Sequence, residues 1–169
     1  MLDAGCGTGA LAVEAARRGA EVVAVDLSPT LIGLARQRKP SDLNGGRLAF
    51  VAGDMLDPDF GVFDHIVAMD SLIHYRTPDI VAILGRLAAR AGSSIVYTVA
   101  PRTPALTAMH TVGRLFPRGN RAPSIVPVTE TKLHGLIRKT PALEGWRVGR
   151  SERIDSGFYL SQAQELVRP

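Results

Sequence analysis

The 169-residue chain has a single cysteine, Cys6, so no internal disulfide can form. Nor does it have an apolar run near the roughly 20 residues that a membrane-spanning helix needs. Its longest such stretches, IVAMDSLI and SIVYTVA, are interrupted by polar residues. The start lacks the basic, then apolar, then small-residue order of a secretory signal. Together these absences predict a cytoplasmic protein. Aromatics are sparse at 5% and lysines form no runs, so the net charge of +4, carried by scattered arginines, does not read as a nucleic-acid surface. Acidic residues are missing between Ile80 and Thr129, where Arg86, Arg90, Arg102, Arg114, Arg118 and Arg121 fall. That segment suits an anionic ligand or a membrane surface, and a solvated basic face is the competing reading.

What is present is enough apolar residue, 46%, to bury one sizeable core, so residues 1–169 are read as a single domain. The runs EVVAVD, RLAFVA, DHIVAMD and SSIVYTVA read as strands, and AVEAARR, PTLIGLARQR and DIVAILGRLAARA between them as helices. This alternation predicts an α/β protein whose mostly parallel sheet carries helices on both faces. Ser28 and Pro29 read as the cap and first turn of a helix. After Ala100 the regularity breaks. Residues 101–140 hold two helical patterns around a Pro-, Gly- and Arg-rich connection, read as a cap over the carboxyl ends of the strands. WRVGRSERID and GFYLSQAQELV then close the sheet as an antiparallel hairpin around Ser156 and Gly157.

The most specific stretch is the opening MLDAGCGTGAL, a strand end entering a tight turn and then a helix near Thr8 or Gly9. Gly5, Gly7 and Gly9 suit a backbone that takes positive φ angles and approaches a ligand closely. The glycines alone also satisfy the dinucleotide pattern G-x-G-x-x-G/A. Asp3 separates the two cases, because a carboxylate there would sit badly beside a pyrophosphate yet can accept hydrogen bonds from a ligand's ammonium group. Asp26, 17 residues past Gly9, stands where an acidic side chain takes both hydroxyls of a ribose, the alternative being a helix-capping aspartate in Asp26-Leu27-Ser28-Pro29. Asp54, in Gly53-Asp54-Met55, reads either as a ligand contact or as a plain turn aspartate. Cys6 has neither a base nor a second thiol near it in sequence and reads as a small packing residue.

D-x-G-x-G-x-G resembles motif I of the class I S-adenosylmethionine-dependent methyltransferases. That resemblance implies a Rossmann-like sheet, S-adenosyl-L-methionine as cofactor, and cofactor contacts at Asp3, Gly5, Gly7, Gly9, Asp26, Leu27, Asp54, Met55 and Asp70. The adenine contacts fall to Asp54 and to the Met55 amide. The likeness extends over nearly the whole chain: VAMDSLIHY, TVAPRTPAL, MHTVGRLFPRGNRAP and SGFYLSQAQELV are similar to the magnesium-protoporphyrin O-methyltransferase family. It implies methyl transfer to one propionate carboxylate of a porphyrin that brings its own magnesium, in (bacterio)chlorophyll biosynthesis, with no metal site on the protein. His74 and Tyr75, after the fourth strand, are the candidate catalytic residues. For His74 the functional reading is orientation of the carboxylate or ligation of the substrate's magnesium, and the bland one is a cap on the turn before Pro78. Arg102, Met109, Arg114, Arg118 and Arg121 are the candidate substrate contacts, with Leu106, Leu115 and Phe116 covering the macrocycle. His65 and His134 are assigned no role. The resemblance also implies contact with magnesium chelatase and at most peripheral association with the photosynthetic membrane.

Two rivals stand beside this reading: a methyltransferase of another small acceptor such as a quinone precursor, and an inactive fragment that retains ligand or partner binding. The second arises because only Met1 and Leu2 are expected to remain of the first strand, with the helices that precede motif I in such enzymes absent.

Overall fold

The computed structural model describes residues 1–102, 125–156 and 159–169. Seven strands form one sheet: β1 (Leu2–Ala4), β2 (Glu21–Asp26), β3 (Arg47–Ala52), β4 (Phe63–Ala68), β5 (Ala91–Val99), β6 (Arg147–Ser156) and β7 (Tyr159–Val167). Their order is β3-β2-β1-β4-β5-β7-β6. The first five run parallel, and β7 lies antiparallel between β5 and β6. The expected α/β class, with its C-terminal antiparallel hairpin, is thus the observed one.

Helices α1 (Ala10–Arg17), α2 (Pro29–Arg38), α3 (Thr77–Ala88) and α4 (Glu130–Ile137) cover the sheet. α2 starts as its sequence requires, with Pro29 preset for the first turn and Ser28 Oγ accepting from the Leu31 N–H at 3.3 Å. α3 repeats Ile80, Ile83, Leu84 and Leu87 at helical spacing and buries all four. Strand alternation sorts the core into two layers. Val22, Ala24, Leu48 and Phe50 pack with Ala12, Ala16, Ile32 and Ala35 of α1 and α2. Leu2, Val25, Ile66, Ile95 and Tyr97 pack with α3 and with Leu133 and Ile137 of α4. The part of the expected cap that forms α4 is therefore a piece of the main core. The first helical pattern of that cap lies outside the described residues.

β1 retains more than the sequence reading allowed, because Leu2, Asp3 and Ala4 pair with Val23, Ala24 and Val25 of β2. Leu2 and Asp3 also pair with Ile66 and Val67 of β4, and all three residues are buried. From β1 the chain winds outward through β2 and β3 and then returns to β4 on the other side. The crevice at the carboxyl ends of β1 and β4 is where sheets of this kind bind ligands.

Candidate active site

The loop after β1 turns back at once. The Gly5 and Cys6 amides donate to the Val25 carbonyl at 2.8 and 3.0 Å, and the Gly9 amide to the Cys6 carbonyl at 2.9 Å. Gly5 and Gly9 have φ of 83° and 80°. A Cβ on Gly5 would lie 2.4 Å from Ser71 Cβ, and one on Gly9 would lie 2.4 Å from the Phe50 ring. Asp26 braces this loop: its Oδ2 accepts from the Gly7 amide at 2.9 Å and its Oδ1 from the Ser28 amide at 2.8 Å. These bonds are the turn role of Asp26. It closes its own turn and joins the ends of β1 and β2, while each carboxylate oxygen retains capacity for a second donor.

Asp3 is 2% exposed beneath the loop. Burial raises its pKa from 3.8 to about 6, partly offset by the Ala12 backbone N–H donating to it and increased by the charge of Asp26. Its Oδ2 is buried without a hydrogen-bond partner. Burial also pushes the Cys6 thiol up to about 12, with the charges of Asp3 and Asp26 adding to the effect, so the thiol stays protonated. Cys6 packs against the α1–α2 core layer as a small apolar residue.

A cavity of about 670 Å³ opens at the ends of β1, β2 and β4. Of the residues singled out in the sequence, Gly5, Asp26, Leu27, Asp54, Met55 and Tyr75 share its wall. Leu27 is 72% exposed and Tyr75 37%, and both present apolar surface to the cavity. Asp54 Oδ1 accepts from the Leu56 amide at 2.9 Å, which is the turn role, while the residue also faces the cavity. Asp3, Gly7, Gly9, Asp70 and His74 are close in sequence to wall residues but do not line the cavity. His74 is half-buried, next to the segment that returns from the cap, where the Val126 amide donates to the Ile73 carbonyl at 2.8 Å. Arg102 is exposed, with its amide on the Val128 carbonyl at 2.9 Å. Met109, Arg114, Arg118 and Arg121 lie outside the described residues, as do Leu106, Leu115 and Phe116.

Residues 68–168 match the family model for the C-terminus of magnesium-protoporphyrin IX methyltransferase, and residues 1–91 match a general methyltransferase domain. The chain belongs to the magnesium-protoporphyrin IX methyltransferase family. It is 48% identical to the magnesium-protoporphyrin O-methyltransferase of Rhodobacter capsulatus over 98% of this chain and 70% of that one. To the Synechocystis magnesium-protoporphyrin O-methyltransferase it is 32% identical over 99% and 71%. The solved Synechocystis magnesium protoporphyrin IX methyltransferase with SAH bound superposes with a TM-score of 0.82 at 30% identity, over 99% of this chain and 73% of that one.

Several residues of this methyltransferase site escaped the sequence reading. Ser71, Asp79, Ile83 and Arg86 line the cavity. Arg86 Nη2 donates to the Leu56 carbonyl at 3.2 Å, and Arg90 donates to the Gly61 and Met55 carbonyls at 2.7 and 3.4 Å. Two arginines read as basic surface thus clasp the turn that carries Asp54 and Met55, and Arg90 lies 5.8 Å from the Phe63 ring centroid. The four-residue spacing of Arg86 and Arg90, with Gly-Asp-Met before them, was the available signal. Arg90→Met keeps the apolar stem and loses the donors. It should raise the KM for the methyl donor about fivefold to tenfold, by roughly 1 kcal/mol, with kcat within twofold. Steady-state kinetics check this, and an unchanged KM would separate Arg90 from binding of the methyl donor. His134, also given no role, reaches Gln164 Oε1 at 3.2 Å, the oxygen that accepts from the buried Tyr97 hydroxyl at 2.8 Å. These bonds fasten α4 to β5 and β7.

Proposed function

We infer that this chain transfers a methyl group from S-adenosylmethionine to a propionate carboxylate of magnesium-protoporphyrin IX, giving the monomethyl ester in (bacterio)chlorophyll biosynthesis. The observation that carries the reading is a cavity at the β1/β4 switch point, lined by Gly5, Asp26, the Asp54–Met55 turn and Tyr75. The residues fit the donor. Leu27, Met55 and Leu56 offer apolar surface to a flat base, and Asp26 offers acceptors to ribose hydroxyls. The paired charges of Asp3 and Asp26 raise the cost of ionising Asp3, and a cationic ligand relieves that cost. When bound, S-adenosylmethionine supplies an electrophilic methyl carbon: the carboxylate oxygen–carbon bond forms as the carbon–sulfur bond breaks, its electron pair leaves with sulfur, and no proton moves.

A propionate is already ionised near neutral pH, so the protein needs no strong base. Its tasks are alignment and exclusion of water. His74 orients the reacting carboxylate and Tyr75 walls the acceptor side. The arginines Arg102, Arg114, Arg118 and Arg121 hold the other propionate, with Met109 against the macrocycle. No helix among the described residues is long and apolar enough to cross a membrane. The same reading places the protein beside magnesium chelatase, at the periphery of the photosynthetic membrane.

A turnover assay offers magnesium-protoporphyrin, free protoporphyrin and a phenolic quinone precursor side by side. Mass spectrometry should find one added methyl on the magnesium porphyrin; methylation of the phenol alone would overturn the assignment. His74→Ala should lower kcat about a hundredfold with the affinity for S-adenosylhomocysteine held within twofold. An equal loss in both would move His74 from the acceptor to the cofactor.

A further inference from the structure

Asp70, in the turn after β4, has φ of 54°, a left-handed conformation uncommon for a residue with a Cβ and one that local hydrogen bonds stabilise. Thr98, on β5 and 6% exposed, supplies such bonds through one atom. Its Oγ1 accepts from the Asp70 amide at 2.7 Å and donates to Asp70 Oδ1 at 3.0 Å. The hydroxyl thus spends its only proton and one lone pair on the backbone and side chain of the same residue. The consequence appears at Ser71. The turn drives it against the glycine loop so closely that Gly5 has no room for a Cβ, which would meet Ser71 Cβ at 2.4 Å and Oγ at 3.2 Å. Ser71 lines the cavity, and its Oγ is buried with no hydrogen-bond partner. Leu72, fully buried, anchors the chain beyond it, and the Tyr75 amide on the Leu72 carbonyl at 3.1 Å continues the turn to the acceptor side. A buried hydroxyl left without a partner against the Gly5 turn, in the cavity that Asp26 also lines, is placed for a polar group of the ligand.

We propose that Thr98 is a positioning residue for methyl transfer: by locking Asp70 in its left-handed turn it presents the Ser71 hydroxyl as a direct hydrogen-bonding contact for the cofactor. The inference rests on the cofactor reading of this cavity. Calorimetric titration with S-adenosylhomocysteine, together with kinetics and thermal unfolding, tests it in the whole chain. Wild-type protein that binds no S-adenosylhomocysteine refutes the cofactor reading itself; the proposal is judged once wild-type binding is seen. Thr98→Val, which keeps the shape and removes both hydrogen bonds, should raise Kd about tenfold and lower kcat about tenfold. Thr98→Ser should restore both to within twofold of wild type. Ser71→Ala should raise Kd about fivefold without moving the unfolding midpoint. The Thr98→Val/Ser71→Ala double variant should bind no worse than Thr98→Val alone, since Thr98 acts through Ser71. Wild-type affinity in Thr98→Val, failure of Thr98→Ser to rescue, or additive losses in the double variant would each overturn the proposal. If Thr98→Val does not fold, Ser71→Ala decides: an unchanged Kd overturns the proposal and a raised one upholds it.

Discussion

Asp3→Asn should weaken S-adenosylmethionine binding about tenfold to a hundredfold while removing the stability that the ligand-free chain gains from this carboxyl as pH falls from about 6 to about 4. On the proposed cofactor reading, the binding loss follows from removing the negative charge beneath the loop that a cationic ligand would neutralise, worth about 1.5–3 kcal/mol. The stability effect follows from linkage. The Asp3 carboxyl titrates at about 6 in the folded chain against 3.8 in the reference state, because burial penalises the charge. Between those pH values the folded state binds more protons than the unfolded one, so stability falls as pH rises from about 4 to about 6 and then levels off. That displacement corresponds to about 3 kcal/mol of penalty at neutral pH. An amide retains the oxygen that takes the Ala12 N–H and carries no charge, so the slope disappears. The gain at pH 7 is smaller than the full penalty, since the new NH2 also lacks a partner. Urea unfolding of both proteins at several pH values from 4 to 7 reads the slope, and calorimetry reads the affinity. An Asn variant that retains the wild-type slope or the wild-type affinity would refute the assignment. If the proposed cationic ligand sits over Asp3, it favours the ionised carboxyl, so binding near pH 5 should release a proton and affinity should rise until about pH 6.

The parts that were legible in the sequence are those governed by local pattern. EVVAVD and RLAFVA are β2 and β3 to the residue, and PTLIGLARQR is α2 with its Ser-Pro cap. Period and capping chemistry decide such elements without help from the rest of the chain. That Gly5, Asp26, Leu27, Asp54 and Met55 share one cavity wall was legible for a related reason: they sit at successive strand ends, and topology brings strand ends together. The rest depends on contacts between distant segments. Nothing local says that Thr98 faces Asp70, that Arg90 reaches the Met55 carbonyl, or that Leu133 and Ile137 of α4 enter the main core. β1 was underestimated because its stability comes from neighbours on both sides, Val23 to Val25 and Ile66 to Val67, which a three-residue segment does not announce.

The three loop glycines should separate sharply by their neighbours when each is replaced by alanine. All three have positive φ, at 83°, 54° and 80° for Gly5, Gly7 and Gly9, so each substitution carries a conformational cost of about 1–2 kcal/mol. Gly7→Ala should carry little more, because no other group lies within 4 Å of the new methyl. Gly9→Ala drives its methyl to 2.4 Å from the Phe50 ring, which is buried in the α1–α2 layer with little room to yield. Overpacking of that kind adds about 1–3 kcal/mol, for a total of roughly 2–5 kcal/mol in urea unfolding. Phe50→Leu should therefore cost less in the Gly9→Ala background than alone, a coupling of about 1 kcal/mol. Gly5→Ala meets Ser71 instead and must push the β4 turn away from the loop. Its principal expected effect is on binding, a loss of about a hundredfold, since the displaced group forms the cavity wall. Equal stability costs at Gly7 and Gly9 would show that backbone conformation alone sets the glycine requirement. With the ranking as expected, a loss of affinity in Gly7→Ala without a matching loss of stability would locate the ligand, because the added methyl would then occupy space that no protein atom claims.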